Sequence, residues 1–167
     1  FATVIMAAGK GTRMKNQDKA KVMFELSGKP MIHYVVDLAF RLGAGRIIVV
    51  VGFQKERVMQ YLRTTHPTAE FVKQEPQLGT GHAVLQAESA LKNFSGHVLV
   101  LSGDVPLLTK ETIDEMDQLH QRRKAVATIL TAEVDDPTGY GRIIRNSEGS
   151  VEKIVEHRDA SPEELRV

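Results

Sequence analysis

The amino-terminal stretch Ala2-Thr-Val-Ile-Met-Ala-Ala-Gly-Lys-Gly-Thr-Arg-Met14 constrains this chain most, because an apolar run breaks there abruptly into glycines and cations. An apolar run of that length reads as a buried strand, and the loop after it is built to hold an anion. Gly9 and Gly11 let the backbone approach a phosphate and turn successive N–H groups toward it, while Lys10 and Arg13 add fixed positive charge. Two familiar fingerprints do not fit. A dinucleotide loop G-x-G-x-x-G needs a third glycine where Met14 stands, and the next strand runs into Gly52 rather than an acid for a ribose hydroxyl. A Walker loop, G-x-x-x-x-G-K-[ST], is absent. A tight strand exit with solvated cations remains the competing reading of this loop alone.

Length and charge narrow the partners. The 167 residues fit one domain, 1–167, with a substantial core. A net charge of +1, from 22 basic and 21 acidic side chains, gives no global field for nucleic acid or an anionic membrane, so any anion must be recognised locally. Without cysteine there are no disulfides and no thiolate chemistry. No apolar run approaches the roughly 18 residues of a membrane span, and the start at Phe1 lacks the flanks of a signal peptide. The expectation is a soluble, cytoplasmic protein with no nucleic-acid or membrane partner. Beginning without Met and stopping in Pro162-Glu-Glu-Leu-Arg-Val167, the chain is expected to be incomplete at its carboxyl end.

Alternation of strand and helix signals predicts the architecture. A short extended piece over 22–26 leads through a Ser27-Gly28 turn to Pro30, which suits a helix start, and Met31, Val35, Leu38, Ala39 and Leu42 recur at helical spacing. Gly43 and Gly45 end that helix before a strand over 46–51. A helix over 54–63, a strand over 70–72 and a helix over 80–92 follow. The unbroken apolar run 97–101 then reads as a strand buried on both faces. Thr109 caps a helix to about 123, a strand is expected over 125–131, and 141–145 and 150–156 flank a hairpin turn at Asn146-Ser-Glu-Gly149. This pattern predicts an α/β fold, a doubly wound, mostly parallel Rossmann-like sheet with functional groups at the strands' carboxyl ends.

Three further loops carry candidate chemistry. In Gln74-Glu-Pro-Gln-Leu-Gly-Thr-Gly-His82, the residues Gly79, Thr80 and Gly81 offer bare N–H groups at a helix start, and Gln74 and Gln77 can donate and accept. A capped helix with solvated glutamines is the alternative, and His82 is read as structural. Ser102-Gly-Asp-Val-Pro106 puts the Asp104 carboxylate at a strand end, suited to a hard cation such as Mg²⁺ or to capping a turn. Asp136-Pro-Thr-Gly-Tyr-Gly-Arg142 carries two glycines around a tyrosine, either to admit sugar hydroxyls or as a bulged loop with Tyr140 packed inward. Glu156 ends the last strand, solvated or accepting from such hydroxyls.

Together these motifs resemble the sugar-nucleotide pyrophosphorylases, over essentially the whole chain. The marks are Ala7-Ala-Gly-Lys-Gly-Thr-Arg-Met14, Lys21-Val22, Gln77-Leu-Gly-Thr-Gly-His-Ala-Val84, Gly103-Asp-Val-Pro-Leu-Leu108, Asp136-Pro-Thr-Gly-Tyr-Gly-Arg-Ile143 and Ile154-Val-Glu-His-Arg-Asp-Ala160. The pieces Gln77-Leu-Gly-Thr-Gly81 and Pro137-Thr-Gly-Tyr-Gly-Arg142 resemble most closely the uridyltransferase domains that act on N-acetylglucosamine 1-phosphate. The resemblance implies that Ala7, Ala8, Gly9 and Gly11 meet the nucleotide, that Arg13 and Lys21 meet phosphates, and that Gln74, Gly79 and Thr80 read uracil. It further implies Mg²⁺ on Asp104, the amino sugar on Gly141 and Glu156, and catalysis by Arg13, Lys21 and Asp104. The implied partners are UTP and N-acetylglucosamine 1-phosphate, with homo-oligomerisation if an acetyltransferase domain follows. The pattern's second metal ligand and a further sugar-binding Asn lie beyond Val167. Two departures stand out: Ala20 replaces a Pro, expected to loosen the approach of Lys21, and Ser102 replaces an aromatic residue. A transferase for glucose 1-phosphate, a cytidylyltransferase, and a nucleotide-sugar sensor without turnover are the rival expectations.

Overall fold

In the computed structural model of the chain, residues 1–11 and 19–167 are described. They form two compact units, 1–118 and 119–167. In chain order the elements are β1 (Ala2–Ala7), a 3-10 turn (Lys21–Met23), β2 (Glu25–Leu26), β3 (Lys29–Pro30), α1 (Met31–Arg41), β4 (Arg46–Val51), α2 (Lys55–Thr65), β5 (Glu70–Lys73), α3 (Thr80–Leu85), β6 (Val98–Ser102), α4 (Lys110–Arg123), β7 (Arg142–Arg145), β8 (Val151–Val155) and a closing 3-10 turn (Glu164–Arg166).

The first unit is built on a parallel sheet of order β5-β4-β1-β6. Its two faces are separated by the period of two along each strand. Ile5, Ala7, Ile47, Val49, Val51 and Leu101 pack against Ile32, Val35 and Val36 of α1, Val58 and Leu62 of α2, and Ile113 of α4. Val4, Ile48 and Val50 pack the other way, against Ala83 of α3 and Ala87 beyond it. Helices therefore cover both faces, as the alternating sequence predicts. The unbroken Val/Ile runs of β1 and β4 follow from this burial on both sides. Thr3 interrupts the apolar pattern: it is fully buried and its hydroxyl has no hydrogen-bond partner among the described residues. Thr3→Val keeps the shape and removes an unpaired polar atom, so it is expected to stabilise the fold by about 1 kcal/mol, read as a higher urea midpoint.

Several expectations need correction. The run 97–101 is not doubly buried. β6 lies at the sheet's edge, with Val98 and Val100 each about two-fifths exposed, and the doubly buried strands are β1 and β4. Residues 125–131 form no strand, and Val126, Ile129 and Leu130 are exposed. β-propensity there finds no cross-strand partner among the described residues, and a strand's stability comes largely from such pairs. The helix over 80–92 stops at Leu85 and continues as turns. Val22 and Met23 are in a 3-10 turn rather than extended. Other predictions hold closely: Gly43, at φ +75°, ends the α1 region, and the Thr109 hydroxyl accepts from the Thr112 N–H at 3.2 Å at the start of α4.

The second unit holds the β7–β8 hairpin, antiparallel with Arg142 opposite Val155. Its turn is set by Asn146, whose carboxamide oxygen accepts from the N–H groups of Glu148 and Ser150 at 3.1 and 3.0 Å. No described helix in either unit is long and apolar enough to cross a membrane.

Candidate active site

In a parallel sheet whose strands come in the order third, second, first, fourth, the connections leave in opposite directions from β1 and β6, and a crevice opens between their carboxyl ends. Loop 8–11 leaves β1 there, and Gly103-Asp104 leaves β6 beside it, the Gly103 N–H donating to Met6 O at 2.9 Å. Lys21 reaches the same place. Its Nζ stands 2.6 Å from Asp104 Oδ2, with both side chains partly open to solvent. Gly11, at φ +66°, lies against the Lys21 stem so closely that a Cβ there would come within 2.8 Å of Lys21 Cβ. Three residues singled out from separate stretches of sequence thus meet at one point. Arg13 falls in residues 12–18, outside the described residues. The space a Gly9 Cβ would enter is open, leaving its backbone approachable.

Ala7 and Ala8 are buried, so any contact with a ligand is through their backbone. The Ala8 carbonyl accepts from Gln77 Nε2 at 2.8 Å and from the Phe53 N–H at 3.1 Å, tying the loop after β1 to those after β4 and β5. Gln74 is also buried. Its Nε2 donates to Gly79 O at 2.8 Å and stands 3.2 Å from His82 Nδ1, so the residue braces the Gly79–Thr80 loop from within. Gly79 is the residue before α3, at φ +102°, and Thr80 begins the helix. The departure at Ala20 leaves Lys21 well held. Ala20 is fully buried and its N–H donates to Gln54 Oε1 at 3.2 Å, a bond that a proline could not make.

Within the second unit, continuing the β7–β8 register by one residue sets Gly141 opposite Glu156, and a Cβ on Gly141 would lie 3.4 Å from Val155 O. The loop before Gly141 is organised by Arg142, a buried residue whose guanidinium donates to Pro137 O at 2.8 Å and Tyr140 O at 2.6 Å. Hydrogen bonding to Thr138 holds the Asp136 carboxyl below the usual carboxylate range. Tyr140 points outward, about two-thirds exposed, instead of packing inward. Glu156 is exposed and lies one residue past β8.

The nucleotidyl transferase family model matches residues 2–164. The chain belongs to the nucleotidyl transferase family. It is 51% identical over 164 residues to the bifunctional protein GlmU of Halalkalibacterium halodurans and 50% identical to that of Geobacillus thermodenitrificans, covering 98% of this chain in each case. The chain spans 35% of the length of these relatives. Among solved structures, a UDP-glucose pyrophosphorylase from Acinetobacter baumannii superposes with a TM-score of 0.73 at 24% identity, covering 93% of this chain and 67% of that one. HddC from Yersinia pseudotuberculosis gives a TM-score of 0.64 at 24% identity over 93% of this chain and 69% of its own. These two likenesses establish a shared fold, an α/β sheet with flanking helices.

Some of what shapes this candidate site was not singled out from sequence. Gln54 holds the Lys21 segment from the turn after β4, in a left-handed conformation at φ +52°. Gly52 is required by close approach. A Cβ there would meet Ala8 Cβ at 2.8 Å, Ala8 O at 2.9 Å and Gln77 Nε2 at 2.9 Å. Its signal was a glycine where a dinucleotide fold places an acid. Gly52→Ala must push the Ala8 backbone aside, so we expect a loss of about 1–3 kcal/mol of stability together with weakened nucleotide binding. Calorimetry of nucleoside triphosphate binding beside a denaturation curve checks both; a variant with unchanged stability and affinity would show that the loops slide freely.

Proposed function

We propose that this chain carries the site that transfers UMP from UTP to N-acetylglucosamine 1-phosphate, giving UDP-N-acetylglucosamine and pyrophosphate. The observation that carries the reading is the meeting of Gly11, Lys21 and Asp104 at the switch point of the sheet. Identity of about half the residues to relatives named GlmU supports the choice of this reaction within the family.

In the transfer, a phosphate oxygen of the sugar phosphate bonds to the α-phosphorus of UTP as the bond to the β-phosphate oxygen breaks. Pyrophosphate leaves with that electron pair. The attacking phosphate is an anion near neutral pH, so no side chain need remove a proton. The chain's task is to align two like-charged reactants and offset charge on the phosphates. Lys21, anchored through Ala20 and Gln54, places its ammonium at the mouth of loop 8–11, and Arg13 is assigned to phosphate by the sequence resemblance. The Gly79–Thr80 loop, braced by Gln74, offers the polar edge for uracil. Gly141 and Glu156 hold the amino sugar.

Asp104 fits a Mg²⁺ ion. Its carboxylate is a hard donor, partly solvent-open, on a strand-end loop, and one carboxylate suffices for an ion that fills its shell with water and phosphate oxygens. When bound, that ion offsets charge on the phosphate oxygens. With such an ion on Asp104, Lys21, the counterion of Asp104 in this structure, would be available to a phosphate. The full-length protein is proposed to carry a further acetyltransferase domain and to form homo-oligomers.

A pyrophosphate-release assay on the full-length protein, crossing four nucleoside triphosphates with several hexose 1-phosphates, tests the reading. UTP with N-acetylglucosamine 1-phosphate is expected to be the fastest pair. A faster glucose 1-phosphate or CTP reaction would reassign the substrates, and UTP binding with no pyrophosphate from any pair would make the site a sensor.

A further inference from the structure

Helices α1 and α2 carry a cluster that the nucleotide site does not use. His33 and Asp37 lie one turn apart on α1, and His66 closes α2. One donor atom from each lies within 4.8 Å of the others. His66 Nε2 is 3.0 Å from Asp37 Oδ1, and His33 Nε2 is 3.9 Å from Asp37 Oδ2. Donors around one tetrahedral ion at ~2.0–2.1 Å stand about 3.3 Å apart, so these separations bracket the required ones and small side-chain rotations close the rest.

We propose that His33, Asp37 and His66 form a binding site for a divalent transition ion of the Zn²⁺ class, which would clamp α1 to α2. Two imidazoles and a carboxylate are the donor set of open zinc sites, leaving a fourth position to water. The outer contacts match that role. Tyr61 Oη lies 3.0 Å from His33 Nδ1, and Thr65 Oγ1 lies 2.9 Å from His66 Nδ1. Each imidazole is thus held by a hydroxyl at one nitrogen while its Nε2 turns to the shared space, as in metal-binding histidines. Phe40 stacks on His66 at 5.6 Å between ring centres.

Burial, then the nearby Lys29 ammonium, holds the His33 pKa below its ordinary value. Burial alone would raise the Asp37 carboxyl, but the hydrogen bond with His66 carries it below its ordinary value, so it is anionic. Both histidines are buried, whereas the Asp37 side chain is half exposed and leaves a way in. One cation is already present: Lys29 Nζ lies 3.0 Å from His33 Nε2. Its ammonium occupies the lone pair that the metal needs, and must swing out when the ion enters.

The test is a titration of Zn²⁺ alone into the nucleotide-free protein, read by competition with a chromophoric chelator, and of Co²⁺ read by visible absorption. One ion per chain is expected to bind saturably and to raise Tm. His33→Gln and His66→Gln should each weaken it at least about tenfold, the loss of one of three protein donors. Lys29→Met should tighten it, and this exposed position leaves the core untouched if a histidine variant fails to fold. Absence of saturable binding, binding that survives both histidine changes, or an affinity unchanged or weaker in Lys29→Met would overturn the assignment and leave the trio as an ion-paired brace between two helices.

Discussion

Asp104→Asn is expected to reduce turnover to less than about a tenth of the parent at saturating Mg²⁺, a barrier increase of at least ~1.4 kcal/mol, while the protein stays folded. The amide keeps the shape of the carboxylate but loses the charge that a hard cation requires and that holds Lys21 Nζ at 2.6 Å. Because Asp104 sits on the strand-end loop with a partly exposed side chain, its ion pair with Lys21 contributes little to stability. Circular dichroism and Tm should therefore stay close to the parent's. A variant that keeps more than a tenth of the activity would remove Asp104 from the chemistry and reduce the pair to a surface salt bridge.

Leu62→Ala should do the opposite. Leu62 is fully buried on α2 and belongs to the larger core cluster, where α1 and α2 close over one face of the sheet. Truncating a buried leucine removes transfer free energy and leaves a cavity, so a loss of about 2–5 kcal/mol and a Tm lower by roughly 5–15 °C are expected. Leu62 is fully buried within that core, so the affinity of the folded fraction for the proposed nucleotide should hold. Denaturant titration and calorimetry at low temperature separate the two effects. A loss of affinity matching the loss of stability would mean that α2 and the Gln54 turn at its start move the Lys21 segment with them.

The sequence by itself determined the fold class and the elements whose signals are local. Buried strands announce themselves as apolar runs, as in β1 and β4, and helix ends through Gly43 and Thr109, because burial, left-handed turns and capping each demand particular residue types close together in the chain. The glycine-rich exit from β1 was legible for the same reason, since Gly11 at φ +66° packs against the Lys21 stem where a Cβ would not fit. Tertiary structure alone decided the rest. The run 98–102 and the stretch 125–131 carry similar apolar signals, yet one pairs with β1 as an edge strand and the other pairs with nothing described, since pairing depends on partners far away in sequence. The contact of Lys21 with Asp104 spans most of the first unit. The hold of Gln54 on Ala20, the crowding of Gly52 against Ala8, and the meeting of His33 and Asp37 with His66 have no signature in spacing either. Each arises only when strand order brings separate loops or helices within a few ångströms, and strand order follows from how helices cover the two faces of the sheet.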